Sequence, residues 1–285
     1  RIAGAAPGLE IEAFVHGAIC VCYSGRCFMS RSMGPRSGNR GDCSQACRLP
    51  YELLDGRMRS QGRARHWLSV RDLNLSDRLE EMIDAGVGSF KIEGRLKDMA
   101  YVRNVVGWYR SRLDEIFSRW PDLKRASQGS VALDFEPDPA KSFSRGSTHY
   151  FLDGPAAGVA SLDTPKSLGE AVGTVVSAGR EWFGMSGKIA LAPGDGICFA
   201  DDGRVYPNRM DGIGCGTAIF RNYDRRFSGA LERSRSRRTL PVEAAVEVTR
   251  NRISVTFSDG SSQATASRDG RFDEARDPLR AERTV

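Results

Sequence analysis

Histidine is scarce in this sequence, with three in 285 residues, at positions 16, 66 and 149. None sits in an H-E-x-x-H string, and no G-x-S-x-G occurs, so zinc-protease and serine-hydrolase machineries lack their usual residues. No second histidine is placed to complete a triad. No apolar run approaches the length of a membrane span, which excludes a transmembrane helix. No secretory signal is visible, so a cytoplasmic protein without disulfides is expected. Lysine is thin as well: the net charge of +6 rests overwhelmingly on arginine.

Against those absences stands a concentration of cysteine. Five of the seven lie between residues 20 and 47, and four of them fit C-x6-C-x15-C-x3-C, with Cys22 left over. The surrounding stretch is small residues, glycine and arginine, too poor in apolar surface to offset the entropy of ordering it. Thiolates converging on an inorganic centre would hold it. A structural zinc site usually shows two tight C-x2-4-C hooks, and only Cys43 and Cys47 form one. An iron–sulfur cluster accepts looser spacing. The spacing favours the cluster, and zinc stays open.

Residues 10–16 alternate as a strand should, with Glu10, Glu12, Phe14 and His16 on one face. Residues 65–71 read as a second strand. Ser76 or Asp77 then caps a helix running to Ala85, with Gly86 as its stop. Residues 88–92 form a third strand, and 99–118 a helix with Tyr101, Val105, Trp108, Leu113 and Ile116 as its packed stripe. This alternation predicts an α/β fold, the C-terminal part of a (β/α)8-type barrel, over residues 1–120. A full barrel needs about 250 residues, and the chain starts at Arg1, so a fragment of a longer chain is expected. Residues 121–157 read as a linker. Glycine-punctuated runs over 158–238 predict a small β-barrel or sandwich, in which Cys198 and Cys215 are ordinary residues. Residues 239–285 begin a further, truncated β-rich domain with a turn at 258–260.

Two places carry candidate catalytic chemistry. At the end of the third strand, period two lets Lys91, Glu93 and Arg95 share a face, where the two cations would clamp a dicarboxylate. His16 ends the first strand. The basic balance suits RNA phosphates as well as a plain solvated surface. Arg31, Arg36, Arg40 and Arg48 flank the cysteines, and Arg225, Arg226, Arg233, Arg235, Arg237 and Arg238 crowd a later stretch, of which 233–238 reads as an exposed link.

The strings EIEAFVHGAICVCYSGRC, NRGDCSQACR, SFKIEGRLKD and YVRNVVGWYR resemble the signature of the collagenase-like peptidases of unassigned mechanism. KSFSRGSTHYFLDG, TPKSLGEAVGTV and GDGICF resemble its branch that makes 5-hydroxycytidine in large-subunit ribosomal RNA. That resemblance implies a barrel carrying a 4Fe–4S cluster on Cys20, Cys27, Cys43 and Cys47, and oxygen-independent RNA hydroxylation with prephenate as co-substrate. Some relatives place a ligand in a DLC-type motif; this chain has Asn74 there. Two other classes stay open: a peptidase, on paper a Cys22–His16 pair, and an RNA-binding module with a structural metal cluster.

Overall fold

The computed structural model describes residues 1–23, 26–155, 158–179, 182–187, 191–201, 204–205 and 212–271, with backbone alone at 198–201 and 204–205. Two compact units divide the chain. The first holds Arg1–Leu123 and Phe135–Ser234, the second Lys124–Asp134 and the chain from Arg235 onward.

In chain order the elements begin with α1 (Ile2–Ala5), β1 (Glu12–Ala18) and α2 (Met29–Met33). Then come β2 (Asp72–Asn74), α3 (Leu79–Asp84), β3 (Ser89–Ile92), α4 (Met99–Arg119), β4 (Ser130–Ala132) and β5 (Ser147–Thr148). The remaining elements are β6 (Glu170–Ala178), β7 (Phe183–Ser186), β8 (Gly196–Asp201), β9 (Arg204–Val205), β10 (Ala218–Tyr223), α5 (Arg225–Arg233), β11 (Arg237–Thr239), β12 (Glu243–Thr249), β13 (Arg252–Ser258) and β14 (Gln263–Asp269).

The first sheet runs β3-β1-β2-β5. β1 pairs parallel with β3 and antiparallel with β2, while β2 and β5 are parallel. Val15, Leu73, Leu75 and Leu79 pack there against Tyr101, Val105, Tyr109 and Ile116 of α4. Burying such a stripe is what holds α4 to the sheet. The Asp98 carboxylate caps α4 by accepting from the Tyr101 amide at 2.8 Å. α3 begins differently from expectation: Arg78 occupies its cap position without a side-chain bond, and neither Ser76 nor Asp77 caps it.

Gly17 permits the closest approach between β1 and the chain leaving β3. Its φ is 116°, and a Cβ there would stand 2.5 Å from the Glu93 carbonyl. The Glu93 amide donates to the His16 carbonyl at 2.8 Å, so that approach is pinned.

A second sheet in the same unit, β7-β6-β10-β8-β9, has a small core of Val172, Val175 and Ile219. Buried Arg221 ties it together by bridging Glu170 at 2.6 Å, Asp224 at 2.9 Å and Asp195 at 3.2 Å. In the second unit β4 pairs with β11, and β12-β13-β14 form the expected meander.

Three sequence readings need correction. Residues 65–71 are not a continuous strand: Arg65 bridges Tyr51 and Val70 bridges Ala160, each in isolation, and the ladder begins at Asp72. Residues 121–157 are not a free linker. Asn104 of α4 binds the Asp138 backbone, and Arg145 is buried against Asp72, so proline content there marks turns within the fold. The arginine run at 233–238 is not a plain link, since Arg237–Thr239 forms a strand.

Candidate functional site

β1 ends at Ala18 and delivers Cys20 and Cys22 to a cavity of about 560 Å³; α2 and the short turns after it bring Cys27, Cys43 and Cys47 to the same cavity. With so little apolar surface, polar contacts shape this segment. The Cys27 amide donates to Asn39 Oδ1 at 2.8 Å, and Arg36 donates to Asp42 and to the Cys43 carbonyl, both at 2.7 Å. Buried Ser30 accepts from the Ser44 amide at 3.1 Å. Gln45, at a left-handed φ of 56°, turns its amide toward Cys43 Sγ, 3.3 Å away.

The thiols differ in character. Burial raises Cys22 to about 11, helped by sharing a proton with Cys27 and by the nearby Cys20 and Cys47. Burial also pushes Cys27 upward, but amides of Met29 and Ser30 donating to its sulfur outweigh that and leave it below the ordinary thiol value. Cys47 is raised by burial, with Cys43, Cys20 and Cys27 adding repulsion. Five sulfurs thus take part in one set of interactions, yet among the described residues no three His, Cys, Asp or Glu groups lie close enough to share a single metal ion.

The other wall of the cavity is cationic. Arg95, Lys97, Arg145 and Arg48 line it, together with Glu93 and Phe143. Lys97 Nζ stands 3.1 Å from the centre of the Phe143 ring, and its pKa falls to about 8 through burial and the neighbouring Arg145. The Arg145 guanidinium carbon is 4.6 Å from the centre of that ring, while Nη1 donates to Asp72 at 2.8 Å. Neither Lys97 nor Arg145 was singled out from sequence. The only signal was their place in two motif strings, EGRLKD and KSFSRGS.

The expected Lys91–Glu93–Arg95 face does not form. β3 stops at Ile92, so the period-two rule fails beyond it; Lys91 is exposed and outside the cavity, whereas Glu93 and Arg95 line it. Glu93 Oε1 accepts from the Arg95 amide at 2.9 Å. Arg48 is also not a surface phosphate ligand. It is buried, donating to the Ile19 carbonyl and Ser69 hydroxyl, each at 3.1 Å, and to the Val70 carbonyl, and so straps the cysteine segment to the sheet. Arg31, Arg36 and Arg40 are exposed beside the cysteines.

His16 opens on a different hollow of about 220 Å³, with Asp72, Asn74, Trp108 and Phe143. Its ring packs edge-on against Tyr109, whose hydroxyl lies 3.4 Å from Nδ1. Burial lowers its pKa to about 4. A proton-free His16 and a Cys22 thiol at about 11 are not an activated thiolate–imidazolium pair. His66 and His149 have structural partners: His66 Nδ1 donates to the Arg48 carbonyl, and His149 bridges Asp77 and Asp153. Cys215 donates to the Val176 carbonyl, and the Cys198 side chain lies outside the described residues.

His16 gives a pH signature. Its folded pKa lies below the ordinary 6.5, so the unfolded chain binds the extra proton between those values and stability drops as pH falls from about 6.5 to about 4. The loss is about 3 kcal/mol. His16→Gln should flatten the urea-unfolding free energy over that interval relative to the parent; identical slopes would contradict a buried neutral imidazole.

With this geometry in place, the kinship is decisive. Peptidase family U32 matches residues 1–160, the span that contains every cysteine and cation of the cavity. The chain belongs to that family. The 23S rRNA 5-hydroxycytidine C2501 synthase of Escherichia coli (strain K12) is 38% identical over 95% of this chain and 45% of its own length. The tRNA hydroxylation protein P1 of Bacillus subtilis (strain 168) is 44% identical over 37% of this chain and 26% of its own. A collagenase of Porphyromonas gingivalis is 37% identical over 37% of this chain and 29% of its own. This chain therefore spans less than half the length of these relatives. No solved structure matches it.

Proposed function

We propose that this chain carries the cofactor-binding core of an iron–sulfur-dependent RNA hydroxylase that forms 5-hydroxycytidine in large-subunit ribosomal RNA, with prephenate as hydroxyl source. One observation carries the reading: a chain alignable over 95% with an rRNA 5-hydroxycytidine synthase has five cysteines on one cavity, facing a wall of cations. The donor set suits a 4Fe–4S cluster on Cys20, Cys27, Cys43 and Cys47. Amides of Met29 and Ser30 aimed at Cys27 favour thiolate sulfur there, and the Gln45 amide donates to Cys43 Sγ. Bound there, the cluster supplies a place to bind and activate the hydroxyl donor.

The chain's own residues do the rest. Arg95, Lys97 and Arg145 offer forks and an ammonium to a small dicarboxylate, and Lys97 releases its proton near pH 8. The Phe143 ring gives the same wall an apolar face. Exposed Arg31, Arg36 and Arg40 suit RNA phosphates at the mouth. The parallel β1–β3 pair is read as part of a barrel wall, with the site at the C-terminal ends of both strands. An RNA substrate implies a cytoplasmic protein, and no helix among the described residues is long and apolar enough to cross a membrane.

The test is anaerobic purification of the full-length protein, with iron and sulfide analysis, followed by nucleoside mass spectrometry after incubation with rRNA with and without prephenate. Prephenate-dependent 5-hydroxycytidine is expected. Cluster-loaded protein that leaves cytidine untouched but cleaves casein or gelatin would replace this reading with the peptidase one.

A further inference from the structure

A second hollow of about 320 Å³ adjoins the cysteine cavity, sharing Leu96, Lys97 and Phe143 with it. Its far wall is the end of β10 and one side of α5, which contribute Tyr223, Phe227 and Glu232. Tyr223, at the end of β10, is 46% exposed, so its ring is reachable from solvent. Lys141 Nζ lies 5.3 Å from the centre of the Phe227 ring.

α5 is built to keep these groups in place. The Asp224 carboxylate caps it through the Phe227 amide at 2.9 Å, buried Leu231 seats it, and Arg103 of α4 donates to the Leu231 carbonyl at 2.6 Å. Its two sides differ in chemistry. Phe227, Ser228, Leu231 and Glu232 face the aromatic hollow, while exposed Arg225, Arg226 and Arg233 line another of about 360 Å³ on the opposite side. Positions 226 and 233 recur on one face at helical spacing, so the division follows from the sequence once the helix is seated.

We infer that a single strand of RNA crosses α5, one unpaired base stacking on Tyr223 and Phe227 while the backbone runs over Arg225, Arg226 and Arg233. This deepens the hydroxylase reading and rests on it, placing a nucleotide that flanks the one entering the cysteine cavity. Aromatic faces beside a cationic track are what sequence-tolerant single-strand recognition requires. Lys141 adds positive charge, and the Glu232 carboxylate can accept from a base amino group. Paired RNA keeps its bases stacked and would gain only the arginine contacts.

The experiment uses the full-length protein and a fluorescent single-stranded oligoribonucleotide containing 2-aminopurine, with the corresponding duplex as comparison. Tyr223→Ala should weaken single-strand binding about five- to a hundredfold, spare duplex binding and abolish the 2-aminopurine quench, whereas Tyr223→Phe should behave as the parent. The Arg226→Glu, Arg233→Glu pair alters exposed side chains. It should weaken both RNAs and flatten the salt dependence of single-strand binding by about 0.7 per lost phosphate contact. Unchanged single-strand affinity in Tyr223→Ala, with the parent still binding and hydroxylating RNA, would overturn this inference alone. A parent protein that binds no RNA would take the hydroxylase reading down with it.

Discussion

Cys43→Ser is expected to leave the anaerobically purified protein with little iron or sulfide and no measurable RNA hydroxylation. Changes to groups that merely orient a ligand cost about 10–100-fold in metal affinity, and loss of a ligating thiolate should cost more. Cys43 is the informative choice because its sulfur is held in place, accepting from the Gln45 amide at 3.3 Å and the Ser30 hydroxyl at 4.0 Å. Cys22 is its internal comparison. It lines the same cavity, but its thiol at about 11 resists ionisation, and it falls outside the four-cysteine spacing. Cys22→Ser should keep both iron and sulfide. Equal content in the two variants would refute the ligand assignment, whatever the activity.

Arg145→Ala should lower the free energy of unfolding by about 3–5 kcal/mol, the usual consequence of stripping one partner from a buried ion pair. Both side chains of the Arg145–Asp72 pair are more than nine-tenths buried. Asp72 also accepts from the Arg145 amide at 2.9 Å, and Arg145 Nε donates to the Pro165 carbonyl at 2.8 Å, so the pair fastens β2 to the chain entering β5. Removing Arg145 leaves the Asp72 carboxylate in the core without its hydrogen-bonded cation, with only the more distant charges of Arg48 and Lys97 acting on it. The double replacement Arg145→Met, Asp72→Leu should recover most of the loss, because two apolar groups need no partner. Urea unfolding of the three proteins decides it. By contrast Arg36–Asp42, at 2.7 Å but solvent-exposed on both sides, should be worth less than about 1 kcal/mol. A cost that small for Arg145→Ala would mean that water reaches Asp72.

Local pattern carried a good deal of the architecture. The stripe on residues 99–118 foretold α4 to within a residue of its end, and glycine at 86 foretold the stop after α3, since a helix face and a left-handed stop are properties of a few neighbouring residues. The meander at 243–269 was legible in the same way, as alternation around a Ser-Asp-Gly turn. Legibility failed where partners are remote. Residues 65–71 have strand-like composition but meet two different partners, Tyr51 and Ala160, at single bridges rather than one strand along their length, and the prolines between 121 and 157 looked like a linker until Asn104 and Asp72 were seen to bind that stretch.

The sequence by itself determined that residues 20–47 could not be held by apolar burial, that their cysteines were the chemistry to follow, and which side of the 99–118 helix would be buried. Composition and spacing suffice for that, because they act along the chain. Only the tertiary structure decided which cations face those cysteines: Lys97 and Arg145 in, Lys91 out, Arg48 spent as an internal strap, His16 in a separate hollow. A side chain's charge is written in the sequence, but where it points and what desolvates it depend on segments more than a hundred residues away, as Phe143 and Arg145 are from the first cysteines.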